Sequence, residues 1–215
     1  MTITYVLLHT RSQKYRQKFQ ELTWLQSQKY VYYSDHEDDN VICVSDDTTY
    51  ESAEVKFLNM FNQMPEKYYS EWLCFADNDT FINTVVLEDY VNTADKSAIH
   101  GQIINCWPND TSLFYPSGGA GFIIHLDTYI KLKGLLVTEK TGYSDVTFGI
   151  NLKRLQVSMH DPNLFFSWPP YKYDHSDAVI TTKISYHYIK SEEEMVRLHD
   201  LVRSFCGQIM GETLS

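Results

Sequence analysis

The chain lacks any hydrophobic run long enough to cross a bilayer. Its longest apolar stretches, Tyr5-Val6-Leu7-Leu8 and Gly121-Phe122-Ile123-Ile124, are strand-sized, whereas a spanning helix needs about 20 residues. The opening Met1-Thr2-Ile3-Thr4-Tyr5 has neither the basic region nor the small-residue cleavage site of a secretory signal. Cysteine is scarce and scattered. Cys43, Cys74, Cys106 and Cys206 stand singly, three of them inside apolar segments, which predicts buried thiols in a reducing compartment rather than a disulfide frame or a Cys-x-x-Cys zinc site. A cytoplasmic protein is expected. Basic residues are few, 18 against 28 acidic, for a net charge of −10. With no run of Lys and Arg interleaved with aromatics, a phosphate backbone would be repelled, so no nucleic-acid partner is expected. Nine glycines, six prolines and 21% charged residues exclude collagen-like and disordered classes.

What remains is 43% apolar and 14% aromatic in 215 residues, enough for the core of one domain over 1–215. Residues 3–9 read as a strand, followed by a helix over 13–25 on the spacing of Tyr15, Phe19, Leu22 and Leu25. Strands are predicted at 29–34 and 41–44, a helix through Val55, Phe57, Leu58, Phe61 and Met64, then a strand at 72–76. Beyond it the pattern predicts helices at 84–94, 145–155 and 192–210, with a further one ending near Gly134. Strands are predicted at 98–104, 122–125 and 183–188. Strands alternating with helices at this spacing give an α/β fold with a mostly parallel central sheet flanked by helices, and ligands of such sheets sit beyond the carboxyl ends of the strands.

The most informative segment is Trp72-Leu73-Cys74-Phe75-Ala76-Asp77-Asn78-Asp79-Thr80-Phe81, an apolar strand ending in the sole Asp-x-Asp of the chain. Two carboxylates there repel one another unless a cation neutralises them, and hard oxygen ligands suit Mg²⁺ or Mn²⁺ held together with a diphosphate. A turn with a helix cap is the plainer alternative. Ser117-Gly118-Gly119-Ala120-Gly121 lets backbone approach a ligand closely, or else makes a tight turn. Asp145 is either a helix cap or a base, and His187 either a core histidine or a ligand. Together these residues supply the inventory of metal-assisted transfer from a diphosphate donor.

In this order the motifs resemble the Fringe-related family of inverting glycosyltransferases with the GT-A fold, which includes core-1 galactosyltransferases and beta-1,3-N-acetylglucosaminyltransferases. Thr23-Trp24, Tyr33-Ser34-Asp35 and Lys56 resemble the family's early signposts. Trp72 to Phe81 resembles its metal motif and Ser117 to Gly121 its Gly-Gly-Ala-Gly. Ser144-Asp145-Val146 with Gly149, and Ser185-Tyr186-His187-Tyr188 with Glu194-Met195, resemble its closing motifs. The resemblance implies Asp79 and His187 as ligands of Mn²⁺ or Mg²⁺, with Asp77 beside them, and Asp145 as catalytic base. It implies Thr10, Arg11, Asp35 and Lys56, with Asn78, Gly118 and Gly119, at a UDP-sugar donor, and a glycan or glycoprotein acceptor. Asn78 replaces the family's middle Asp, and Phe165-Phe166-Ser167-Trp168 replaces Fringe's Phe-His-Ser-His, leaving His187 as the nitrogen ligand. The family's Golgi anchor, stem and disulfides are missing, which implies a cytosolic version such as a virus or microbe encodes, active in the host cytoplasm if viral and forming one unit of a longer protein. A narrower likeness to viral members implies UDP-rhamnose or UDP-glucose as donor. A non-catalytic sugar-binding module and a metal-dependent sugar-nucleotide hydrolase are the rival readings.

Overall fold

The computed structural model describes residues 1–49 and 52–212, with the backbone alone over 206–212. The first half alternates as expected: β1 (Ile3–Leu8), α1 (Lys14–Glu21), β2 (Lys29–Ser34), β3 (Val41–Cys43), α2 (Ala53–Gln63), β4 (Trp72–Asp77), β5 (Phe81–Ile82) and α3 (Thr84–Tyr90). The second half holds β6 (Ile99–Gly101), β7 (Ile103–Ile104), β8 (Tyr115–Pro116), β9 (Phe122–His125), α4 (Leu126–Leu132) and α5 (Ser144–Arg154). The short strands β10 (Met159–His160) and β11 (Phe165–Phe166), then α6 (Asp177–Ile180), β12 (Ser185–Tyr186) and α7 (Glu192–Glu212) complete it. Among the described residues the main sheet has seven strands in the order β10-β6-β9-β4-β1-β2-β3. Only β9 runs antiparallel to its neighbours. A smaller sheet, β11-β12-β5, packs beside it.

The central strands are buried on both faces, which is why they read as unbroken apolar runs. Alternate side chains divide them between two cores. Tyr5, Leu7, Tyr32 and Cys74 meet Leu87 of α3 and Met195, Leu198 and Val202 of α7. Val6, Val31, Leu73 and Phe75 meet Phe57 and Phe61 of α2, Tyr129 of α4, and Phe148 and Leu152 of α5. The acidic first turn Glu192, Glu193 and Glu194 suits the positive end of the α7 dipole. No helix among the described residues is long and apolar enough to cross a membrane.

Several expectations shift. The inward face of α1 is polar: Gln17 and Gln20 are buried, while Tyr15 and Leu22 are about half exposed. The Gln20 amide goes inside because the carbonyls of Asp77 and Thr80 need donors, while Gln17 Nε2 donates to Glu21 Oε1. The predicted helix at 84–94 stops at Tyr90, where Asn92 and Thr93 turn the chain. The predicted strand at 98–104 breaks at Gln102, whose carbonyl accepts from the Ser117 N–H, so β6 and β7 join different sheets. The predicted strand at 183–188 shrinks to Ser185–Tyr186 because Tyr188 takes a left-handed φ of 62°. The expectation of buried thiols holds for Cys74 alone: Cys43 is exposed on the edge strand β3 and Cys106 in a loop, while the side chain of Cys206 lies outside the described residues.

Candidate active site

The parallel strands β1, β2 and β4 end at one edge, where Leu8 stands opposite both Tyr33 and Asp77. The Asp77–Asp79 turn is fixed there from three sides. Gln20 Nε2 donates to the carbonyls of Asp77 and Thr80 at 3.1 and 3.0 Å. Thr80 Oγ1 donates to the Gly119 carbonyl at 2.7 Å, and the Ile189 N–H to the Asp79 carbonyl at 2.9 Å. The last bond brings the segment after β12 against the turn, so that His187 Nε2 lies 2.9 Å from Asp79 Oδ1 and 3.8 Å from Asp77 Oδ2.

Asp77, Asp79 and His187 each offer one ligand atom, all within 4.8 Å of one another. Two carboxylates and an imidazole suit a divalent cation of hard or borderline character. Charge in the cluster is incompletely matched by protein. Burial and the neighbouring carboxylates Asp79 and Asp145 push the Asp77 pKa up to about 6, against the pull of His187 and Arg16, although 40% of its side-chain surface still faces the cleft. Burial would raise Asp79 too, but His187 and Arg16 hold it below the usual carboxylate range. The two carboxylates in turn raise the pKa of His187 against the effect of burial. A divalent cation would neutralise this cluster, so the residues present fit one.

Two clefts meet at the cluster. The first, of about 390 Å³, reaches from Asp77 and Asp79 past Thr10 to Lys56. Lys56 is 1% exposed, and its Nζ has only an ion pair with Asp35 Oδ2 at 3.6 Å. Neither atom has a hydrogen-bond partner among the described residues, an arrangement costly to keep unless a ligand supplies one. Asp35 also accepts from the Arg11 backbone N–H at 2.8 Å. The Arg11 side chain itself is exposed and does not line this cleft; its place is the backbone bond to Asp35. Asn78 is buried at the turn with its Nδ2 unpaired.

The second cleft, of about 520 Å³, contains Gly118, Gly119 and Asp145. Asp145 lies in the first turn of α5, where its Oδ1 accepts from the Val146 N–H at 2.9 Å. Burial nevertheless raises its pKa, against the backbone N–H groups of Val146 and Gly118. The loop before Asp145 is gathered around a carboxylate from α2. Glu54 Oε1 accepts from Thr138 Oγ1 and the N–H groups of Glu139 and Lys140 at 2.6, 2.8 and 2.9 Å, and its Oε2 from the Gly142 N–H at 2.9 Å. Burial alone would raise the Glu54 pKa, but these four bonds hold it at about 2.

The residues at the site that the sequence reading did not single out are Arg16, Gln20, Glu54 and Lys190. Arg16 Nη1 donates to Asp79 Oδ2 at 3.1 Å, and with Lys190 it lines the first cleft. A signal was present for two of them: Gln13, Arg16, Gln17 and Gln20 recur at helical spacing and mark a second, polar stripe on α1. Glu54 and Lys190 carry no such mark.

No protein-family model matches the chain, and no curated protein matches it either. Solved structures do. A glycosyltransferase involved in the glycosylation of the major capsid of PBCV-1 superposes with a TM-score of 0.58 at 13% identity, covering 92% of this chain and 99% of that one. The apo-form glycosyltransferase GlyE of Streptococcus pneumoniae TIGR4 gives a TM-score of 0.55 at 9% identity, covering 97% of this chain and 64% of that one. At these identities the likeness is one of fold, and the mostly parallel sheet flanked by helices is the GT-A fold.

Proposed function

We propose that the chain is a metal-dependent inverting glycosyltransferase that moves a sugar, rhamnose or glucose, from its UDP conjugate to a hydroxyl of a glycan. The observation that carries this reading is the Asp77, Asp79 and His187 cluster standing between a cleft lined by cations and a cleft that holds a second carboxylate, Asp145, at a helix start. The ordered motifs shared with the Fringe-related transferases support the same assignment of roles.

The donor lies in the first cleft, its base toward the Lys56–Asp35 ion pair and its diphosphate toward Arg16 and Lys190. Asp77, Asp79 and His187 would hold Mn²⁺ or Mg²⁺, whose charge would offset that of the departing diphosphate. The acceptor hydroxyl approaches C1 of the sugar from the second cleft, on the face opposite the diphosphate. A bond forms between the acceptor oxygen and C1, and the bond from C1 to the phosphate oxygen breaks with its electron pair leaving on UDP. The hydroxyl proton passes to the Asp145 carboxylate. Burial raises the pKa of that group, bringing it nearer the working pH and making it a better base than an ordinary aspartate. Attack from the opposite face inverts the anomeric centre.

Calorimetry with UDP in EDTA and in Mn²⁺ tests the donor half of the reading: tight binding only with the metal, lost in Asp79→Ala, is expected. Equal affinity in both would overturn it. Incubation of UDP-rhamnose and UDP-glucose with and without acceptor separates transfer from hydrolysis.

A further inference from the structure

The two clefts share Asp77, His187 and Tyr188 as a common wall, yet their electrostatics differ. The first has Arg16, Lys56 and Lys190 along it. The second, among the described residues, has no lysine or arginine and carries Asp77 and Asp145. What it has instead is aromatic surface. Trp168 is 49% exposed and Tyr188 37%, and their rings stack at 4.8 Å with 14° between planes. Tyr188 keeps this position in a left-handed backbone conformation that a bulky side chain rarely adopts, and Tyr143 and Tyr173 line the same cleft.

The platform is anchored before any ligand arrives. The Ser167 N–H, directly before Trp168, donates to Gln102 Oε1 at 2.7 Å, and Ser167 Oγ donates to Ser117 Oγ at 2.7 Å. Through Ser117 this network reaches the glycine segment, since Ser117 Oγ accepts from the Ala120 N–H. Ordering Trp168 and Tyr188 in the free protein lowers the entropic cost of stacking a ring on them.

Resting on the glycosyltransferase reading, we infer that the second cleft is the acceptor site and that it takes an uncharged glycoside, seating the C–H face of a pyranose on Trp168 and refusing anionic acceptors such as uronates or sugar phosphates. A neutral sugar gains apolar contact on the indole and keeps its hydroxyls for the polar floor. With the cation offsetting Asp77, an anionic group would still meet the Asp145 carboxylate in a cleft lined, among the described residues, by no lysine or arginine, Lys190 being engaged over the Tyr188 ring at 4.4 Å, and like charges facing each other discriminate strongly between partners. The same chemistry that admits a diphosphate to the first cleft thus excludes one from the second.

The test uses the chain loaded with UDP and Mn²⁺, so that no turnover occurs. Methyl pyranosides of glucose, galactose, mannose, xylose and rhamnose, and methyl glucuronide, are titrated by saturation-transfer NMR, with UDP affinity measured by calorimetry on the same samples. At least one neutral glycoside should bind with saturation concentrated on its ring C–H protons, and glucuronide should bind at least tenfold more weakly. Trp168→Ala should abolish the neutral signal with UDP affinity unchanged, and Trp168→Phe should restore part of it. Glucuronide binding as well as the best neutral sugar, full binding to Trp168→Ala, or no binding by any neutral glycoside would overturn the inference while UDP still binds. Failure of UDP to bind would instead overturn the donor reading, and this one with it.

Discussion

Gly119 lies flat against the ring of His187: a Cβ at Gly119 would stand 2.2 Å from both Cε1 and Nδ1 of the imidazole, closer than nonbonded carbon and nitrogen atoms can approach. The glycine is what lets the imidazole reach Asp79 and Asp77. In Gly119→Ala the ring must move away, so Mn²⁺ should bind at least tenfold more weakly by titration calorimetry or electron paramagnetic resonance. Circular dichroism and the melting temperature should change little, because the displaced ring borders an open cleft. Gly118→Ala is the internal control, since a Cβ there meets Asp145 Cβ at an ordinary 3.6 Å, and it should leave Mn²⁺ affinity intact.

Arg16 and a bound cation would share the same carboxylate, because Arg16 Nη1 sits 3.1 Å from Asp79 Oδ2 while His187 faces Oδ1. Replacing the guanidinium by an amide in Arg16→Gln removes a like charge from beside the cation and a positive group from the donor cleft. Two effects of opposite sign are expected. Mn²⁺ alone should bind more tightly, and UDP in the presence of Mn²⁺ more weakly, by about tenfold to a hundredfold for one charge-assisted hydrogen bond. A change of the same sign in both titrations would show that Arg16 acts only through the shape of the site.

These two residues also show how far the sequence could be read. That Asp77 and Asp79 would stand together at a strand end was legible because β4 is a continuous apolar run that ends abruptly in carboxylates. The alternation of β1, α1, β2, β3, α2 and β4 was legible for the same reason, since each element buries a face whose period shows in the residues. The helical spacing placed Phe19 and Leu25 against the core but misplaced Tyr15 and Leu22, because the Gln20 amide, which serves the Asp77 and Thr80 carbonyls, is buried like an apolar side chain but does not look apolar. The strands β10 and β11, two residues each, are too short to show any period. Glu54 owes its position to contacts 84 or more residues away in the chain, which no local pattern can disclose, and the polar stripe that marks Arg16 does not reveal its partner Asp79, 63 residues on.

Glu54 makes a pH prediction. Its carboxyl titrates near 2 in the folded chain against 4.5 ordinarily, so the folded state binds the proton less readily than the unfolded state. The stabilisation, about 3 kcal/mol at ~1.4 kcal/mol per pKa unit, is fully present above pH ~4.5 and is lost as the pH falls toward ~2. Glu54→Gln leaves the Gly142 N–H or its neighbours facing an amide that donates, and should lower stability by about 2–3 kcal/mol, typical of a buried donor stripped of its partner. Urea titrations from pH 7 to pH 3 should show the difference between wild type and variant shrinking as the pH drops. A constant difference across that range would remove the charge of Glu54 from the account.

Asp145 carries the last prediction, because it has two possible occupations that one substitution separates. Its place in the first turn of α5, with Oδ1 on the Val146 N–H, is compatible with a purely structural role at the helix end. Asparagine keeps the size and an acceptor oxygen for that N–H, so Asp145→Asn should fold and melt within about 1 kcal/mol of wild type on the scale of helix-end substitutions. In the proposed function UDP takes the other cleft and Mn²⁺ the Asp77, Asp79 and His187 cluster between the two, so the affinity for both should change little. An amide cannot take the acceptor proton, however, so transfer should fall by roughly 10²–10⁴-fold, the usual contribution of a general base. In the wild type, the rate should decline as the pH drops through a pKa above the ordinary aspartate value, in keeping with the burial of this carboxyl, and that limb should vanish in the variant. Transfer by Asp145→Asn at the wild-type rate, or a product that keeps the donor's anomeric configuration by NMR, would remove Asp145 from the chemistry and leave it as a helix-end residue.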